Sequence, residues 1–247
     1  MTNRNRILAS IGVIFLCSVL GATQALGADV IIKGIVATLA VPAEIVPGVT
    51  IAVLDAVPPN STTSGTDGSW QLTVDDGTDP VLKISAGSTP GSSCAPGKPT
   101  VETYTTFPIS LLKMGPPYQT PPYKYDISAV LRSSYQNVPA GDCMIIGFAV
   151  DYTSLAYPIT QDFLSGVVVS PTPAAYILAD GVNICDPATE PTCTATTASG
   201  AWVGVQDPAA PVAYSGAKEG SAFVGGNVTC VADTANVTGL IDILSLP

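Results

Sequence analysis

The chain has 247 residues with no histidine, and it carries 9 basic against 19 acidic side chains, a formal net charge of −10. The missing imidazole excludes Ser-His-Asp and Cys-His catalysis, His-ligated zinc and the commonest general base near neutral pH, and the acidic balance makes nucleic acid and anionic membranes poor partners. An apolar fraction of 47% is too high for a disordered chain despite 22 prolines and 23 glycines.

Residues 1–27 read as a secretory signal: Arg4 and Arg6 form a positive n-region, Ile7 to Leu20 an apolar core, and Ala25-Leu26-Gly27 a small-x-small cleavage site before Ala28. Cleavage removes Arg4 and Arg6 and no acid, which leaves 7 basic against 19 acidic residues and a net charge of −12. Export places Cys94, Cys143, Cys185, Cys193 and Cys230 in an oxidising compartment, where most should pair. Cys185 and Cys193 bracket a short polar loop containing Pro187 and Pro191, so a bridge between them is expected. A second bridge, Cys94 to Cys143, would leave Cys230 free.

From Val30 onward, short apolar runs rich in β-branched residues alternate with turn formers. Ile31 to Val36, Val49 to Leu54, Trp70 to Val74 and Leu82 to Ser85 are expected strands, punctuated by Pro47-Gly48, Pro58-Pro59-Asn60 and Asp75-Asp76-Gly77. No helical period of useful length occurs, which points to a sandwich. Asp75-Asp76-Gly77-Thr78-Asp79 is the one clustered set of oxygen ligands, and it fits a calcium loop or a plain strand-connecting turn; it lacks the distal glutamate of an EF-hand loop.

Residues 99–158 hold seven of the nine tyrosines and the doublets Pro116-Pro117 and Pro121-Pro122. Two Pro-Pro-Tyr units suggest extended backbone that presents its rings, with Tyr118 and Tyr123 partly exposed. Tyr104, Tyr118, Tyr123 and Tyr125 are therefore candidate ligand-binding residues; the competing reading is that these tyrosines pack the sandwich edge and the join between domains. Met144 to Tyr152 regains strand character and is expected to complete the first sandwich.

The second half repeats the first. Gly68-Ser69-Trp70 and Gly200-Ala201-Trp202 carry the only two tryptophans, 132 residues apart, and Pro80-Val81 and Pro211-Val212 follow at an offset of 131. Gly166 to Val169, Tyr176 to Leu178, Val228 to Val231 and Val237 to Ile243 are the remaining expected strands.

Gly34-x-Val36, Pro47-Gly48-Val49-Thr50-Ile51-Ala52-Val53 and Thr66-Asp67-Gly68-Ser69-Trp70-Gln71-Leu72 together resemble the carboxypeptidase regulatory-like domain, a small sandwich of transthyretin (prealbumin) type. The resemblance covers residues 31–87, with a fainter copy at 164–243 in which Ser199-Gly200 replaces Asp67-Gly68. It differs from the usual pattern in placing Trp where Phe or Tyr is common. It implies an inward aromatic after each turn.

The expectation is an all-β protein of two tandem Ig-like/transthyretin-type β-sandwich domains after the signal: domain 1 at 28–155, with a Tyr/Pro-rich excursion at 99–143, and domain 2 at 156–247. Its function is expected to be that of a non-enzymatic, secreted, periplasmic or cell-surface binding or structural module, with no cofactor and no metal site. Alternatives are a carbohydrate-binding accessory protein, since this sandwich class is similar to starch-binding folds, and a subunit of an extracellular fibre or surface layer. The partner would be an extracellular protein or a glycan, with self-association open and no membrane insertion once the signal is removed.

Overall fold

A computed structural model describes residues 28–39, 42–92, 95–114, 119–134, 137–178 and 183–244; the signal segment, Cys94 and Tyr118 lie outside the described residues. The first half contains β1 (Asp29–Thr38), β2 (Thr50–Val53), β3 (Ser61–Thr63), β4 (Ser69–Asp75), β5 (Val81–Ile84), β6 (Thr103–Thr106), the single helical turn α1 (Ile109–Leu112), β7 (Tyr123–Lys124) and β8 (Ile127–Ala129). The second contains β9 (Cys143–Ser154), β10 (Thr160–Phe163), β11 (Val168–Ser170), β12 (Ala175–Ile177), β13 (Ile184–Cys185), β14 (Ala201–Gln206), β15 (Ser215–Ala217), β16 (Phe223–Gly225) and β17 (Ala235–Asp242). The protein is all-β, built as two tandem β-sandwiches.

Period-two alternation builds the first core. On β4 Trp70, Leu72 and Val74 turn inward while Ser69, Gln71 and Thr73 face out, and β1 buries Val30, Ile32 and Val36 in step. These residues close on Ile51, Leu82 and Ile84 of the opposite sheet, and Phe107 meets the Trp70 indole edge-on at 5.9 Å.

Strand pairing repeats in the second half. β1 runs antiparallel to β4 and parallel to β7 and β8; β9 runs antiparallel to β14 and parallel to β17. β17 is also parallel to β6, so one continuous sheet passes from β3, β2, β5 and β6 of the first sandwich into β17, β9 and β14 of the second.

Four sequence expectations need correction. Met144 to Tyr152 does not complete the first sandwich: β9 pairs with β14, β17 and β10, while the tyrosine-rich segment itself supplies β7 and β8 as the parallel partners of β1. Val228 to Val231 forms no strand, and β16 precedes it instead. Cys143 bonds to Cys230, not to Cys94, because the approach to β17 passes beside the start of β9; Cys230 is therefore not free. Tyr123, expected to be partly exposed, sits buried in the β1–β7 ladder. Cys185 and Cys193 are joined to each other.

Hydrogen bonds define the repeat residue by residue. Gly34 stands opposite Trp70 and Gly147 opposite Trp202. The Val36 N–H donates to the Gly68 carbonyl at 2.9 Å, and the Ala149 N–H to the Gly200 carbonyl at 2.8 Å. A buried hydroxyl then ties each copy together. Ser64 Oγ accepts from the Val49 N–H and donates to the Val46 carbonyl, and Thr196 Oγ1 does the same with Val167 and Leu164. Gly48 and Gly166, at φ of +71° and +76°, turn the chain at matching points where a side chain would be strained.

Candidate functional site

Three of the four candidate tyrosines are described, and they do not share an exposed face. Tyr104 is buried on β6, where its hydroxyl donates to Glu102 Oε1 at 3.0 Å and Glu102 also pairs with Lys83. Burial, reinforced by that carboxylate, pushes its phenol up to about 12. Tyr123 is buried too, against the expected partial exposure, with the Lys113 ammonium 5.8 Å from its ring centroid. Tyr125 sets its ring against Phe107 at 5.8 Å and its hydroxyl 3.3 Å from that of Tyr152, and burial raises its phenol. The physical reason is topological. The parallel strand needed beside β1 comes from this segment, so alternate side chains enter the core.

The acidic loop disperses its carboxylates. Asp75 accepts from the Gly77 N–H at 2.7 Å, Asp76 pairs with Lys113 at 2.7 Å, and Asp79 accepts from the Ser110 N–H at 2.6 Å. Among the described residues no three Cys, Asp or Glu side chains converge as metal ligands. The loop works as a set of turn caps.

The outer face of the β4-β1-β7 sheet is different. Here Lys33 stands between Gln71 on β4 and Lys124 on β7, with Ile35 and Ser69 as the next cross-strand pair. Tyr157, from the loop after β9, rises at one side with 38% of its surface exposed, and Thr62 and Thr63 bound the other. Together they enclose a shallow groove of about 590 Å³. The Lys124 ammonium lies 5.2 Å from the Tyr157 ring centroid. At the rim Asp126 Oδ1 accepts the Ile35 N–H at 2.9 Å and lies 3.4 Å from the Tyr157 hydroxyl. Sequence reading missed this face, although its signal was present: the alternation of β1 already put Ile31, Lys33 and Ile35 on the side away from the core.

The equivalent face of the second sandwich is closed. In the positions of Lys33, Ile35, Gln71 and Lys124 stand Ile146, Phe148, Val203 and Val237, by the shared register from the Gly-Trp pairs. They pack beneath Leu39, Val101, Val130 and Val138. A smaller hollow of about 260 Å³ in this half, lined by Val169, Tyr176, Pro187, Pro191 and Cys193 among others, carries no charged side chain.

No family model matches the chain, and no curated protein matches it. Among solved structures it is similar to the shaft pilin SpaA from Lactobacillus rhamnosus GG, at 9% identity over 89% of this chain and 99% of that chain, with a TM-score of 0.20. A mutant form of that pilin gives 8% identity over 87% and 98%, with a TM-score of 0.26. A streptococcal ancillary pilin gives 10% identity over 87% of this chain and 69% of that chain, with a TM-score of 0.21. Among the described residues no helix is long and apolar enough to cross a membrane.

Proposed function

We propose that this chain is an exported, non-enzymatic binding module, and that the open β4-β1-β7 face of its first sandwich is the binding surface. Both halves are read as transthyretin-type sandwiches akin to the carboxypeptidase regulatory-like domain, with the first repeat at 29–131 and the second at 143–244. Two disulfides fit an oxidising, extracytoplasmic location. One observation carries the reading: the same sheet face is apolar and covered in the second repeat, whereas in the first it sets Lys33, Lys124 and Gln71 among its residues, is rimmed by Tyr157 and is uncovered. An exposed ring, Tyr157, beside hydroxyl and amide side chains suits a saccharide, whose apolar ring face stacks while its hydroxyls bond at the edges. The test is retention of the secreted protein on a panel of immobilised glycans. Tyr157→Ala should abolish retention without lowering the melting temperature, and an unchanged Tyr157→Ala profile would sink the assignment.

A second reading, a subunit of an extracellular fibre, rests on the sheet that spans both sandwiches and ends in the short strands β3 and β13, each at the limit of the strand order. Ordered polymers in electron micrographs of secreted material would favour it, and a strictly monomeric native mass spectrum would remove it.

A further inference from the structure

The groove holds an unusual share of a scarce resource. Only seven basic residues follow the signal segment, and two of them, Lys33 and Lys124, are direct cross-strand neighbours on β1 and β7. Like charges placed opposite each other on adjacent strands destabilise a sheet. Three other lysines are matched: Lys83 pairs with Glu102, Lys98 with Glu44 and Lys113 with Asp76. Among the described residues neither Lys33 nor Lys124 has such a carboxylate partner, although acids outnumber bases by more than two to one in this chain.

The repeat gives a control for what the fold itself requires. An uncovered face needs polar residues, and Ser69, Gln71 and Thr73 on β4 meet that need without charge. The fold therefore does not call for two ammonium groups side by side. A ligand bearing negative charge does, because it relieves the repulsion that the unliganded face carries. The Tyr157 ring at the groove wall and the hydroxyls of Thr62 and Thr63 supply the surroundings that a sugar ring uses. A simple inorganic anion would leave these groups without a role.

We propose that the groove recognises a carboxylate-bearing saccharide of the uronic acid class, with Lys33 and Lys124 on the carboxylate and the Tyr157 ring against the sugar face. This deepens the binding-module reading and rests on it. Asp126 sits at the rim with its Oδ1 engaged by the Ile35 N–H and near the Tyr157 hydroxyl. It helps to place Tyr157 and bars a ligand carboxylate from that end.

The probe is a galacturonic acid oligomer, titrated calorimetrically into the full secreted protein, with the neutral galactose oligomer of equal length and poly-glutamate as comparison ligands. The galacturonate oligomer should bind, and its affinity should fall as salt is raised. Lys33→Gln and Lys124→Gln should each weaken it roughly fivefold to tenfold, and Tyr157→Ala by a similar factor. Tyr157→Phe should bind as the parent does. Equal binding of the neutral oligomer that Tyr157→Ala still weakens would overturn the uronate assignment and leave the binding face standing. Poly-glutamate binding as tightly as galacturonate would overturn the saccharide. No binding by any of the three, together with a silent glycan panel, would remove both readings.

Discussion

Gly34 and Gly147 occupy the same place under the two tryptophans, but for different reasons. A Cβ at Gly147 would come within 1.9 Å of the Trp202 indole, whereas at Gly34 it would come within 2.1 Å of the backbone carbonyl of Tyr125. Around these glycines the outer residues diverge as well, to Ile146 and Phe148 in one sandwich and Lys33 and Ile35 in the other. The inner frame is kept while the outer face follows its cover. What is common to the two halves reports on folding, and what differs reports on what each face meets.

The two disulfides give the largest contrast, because both lie in the second sandwich and none is seen in the first among the described residues. Cys143 and Cys230 are 87 residues apart in sequence, so their bridge restricts a long loop of the unfolded chain and contributes about 4.6 kcal/mol on the chain-entropy account. The separation of 8 between Cys185 and Cys193 gives about 2.6 kcal/mol on the same account. Reduction should lower the urea midpoint reported by Trp202, in a Trp70→Phe background, far more than that reported by Trp70 in a Trp202→Phe background. Equal shifts would mean that the sheet shared through β17 makes one cooperative unit of both halves.

Truncating either tryptophan to Ala should cost about 3–5 kcal/mol in chemical denaturation, as both indoles are buried. The glycines beneath them separate the two cases. Gly147→Ala should destabilise by about 1–3 kcal/mol or more through overpacking, and Trp202→Leu should suppress much of that loss in a double-mutant cycle. Trp70→Leu should not rescue Gly34→Ala, whose obstacle is backbone. Rescue in both cycles would break the distinction drawn above.

The frame was legible in the sequence where its chemistry is local. Asp67-Gly68 and Ser199-Gly200 announce their turns, and the apolar alternation of Trp70, Leu72 and Val74 announces a half-buried strand. The opening strand of the second repeat was legible as a strand over Met144 to Tyr152 but not as part of the second half, because the offset is not constant. It is 132 between the tryptophans but 113 between Gly34 and Gly147, since the loops after the first strand differ in length. The parallel strands β7 and β8 were hidden for another reason: their ladder partner lies about ninety residues upstream, and two or three residues among prolines carry no periodic signal. The groove depended on the second of these, being formed by Lys33 and Lys124 brought together only by that long-range pairing.

Buried hydroxyls offer a smaller effect that should be the same in both halves. Ser64→Ala strands the Val49 N–H, and Thr196→Val strands the Val167 N–H, each in a buried setting. Each should cost about 1–3 kcal/mol, read from the shift in denaturation midpoint. A loss confined to one half would show that the matched hydrogen bonds are not energetically matched.

The turn before each tryptophan gives the smallest effect and a pH signature. Asp67 Oδ1 accepts from the Ser69 N–H at 3.0 Å and the Ser69 hydroxyl at 2.6 Å, while Ser199 Oγ accepts from the Ala201 N–H at 3.2 Å in the same position of the second copy. The hydroxyl of Ser69, and then its N–H, hold the Asp67 carboxyl below the usual carboxylate range. A depressed folded value means that the stabilisation is present above the unfolded value of about 3.9 and is lost as pH falls through the lower folded value. The Ser199 hydroxyl does not titrate there. Acid should therefore loosen the first turn and spare this contact in the second, with the Asp67 side-chain carbon signal titrating below its ordinary position in an NMR series. Because Asp67 is exposed, Asp67→Ser should leave the melting temperature at neutral pH nearly unchanged. It should also abolish the acid-dependent shift of the Ser69 amide. An Asp67 carboxyl that titrates at or above the ordinary aspartate value would show that the two turns are not built alike.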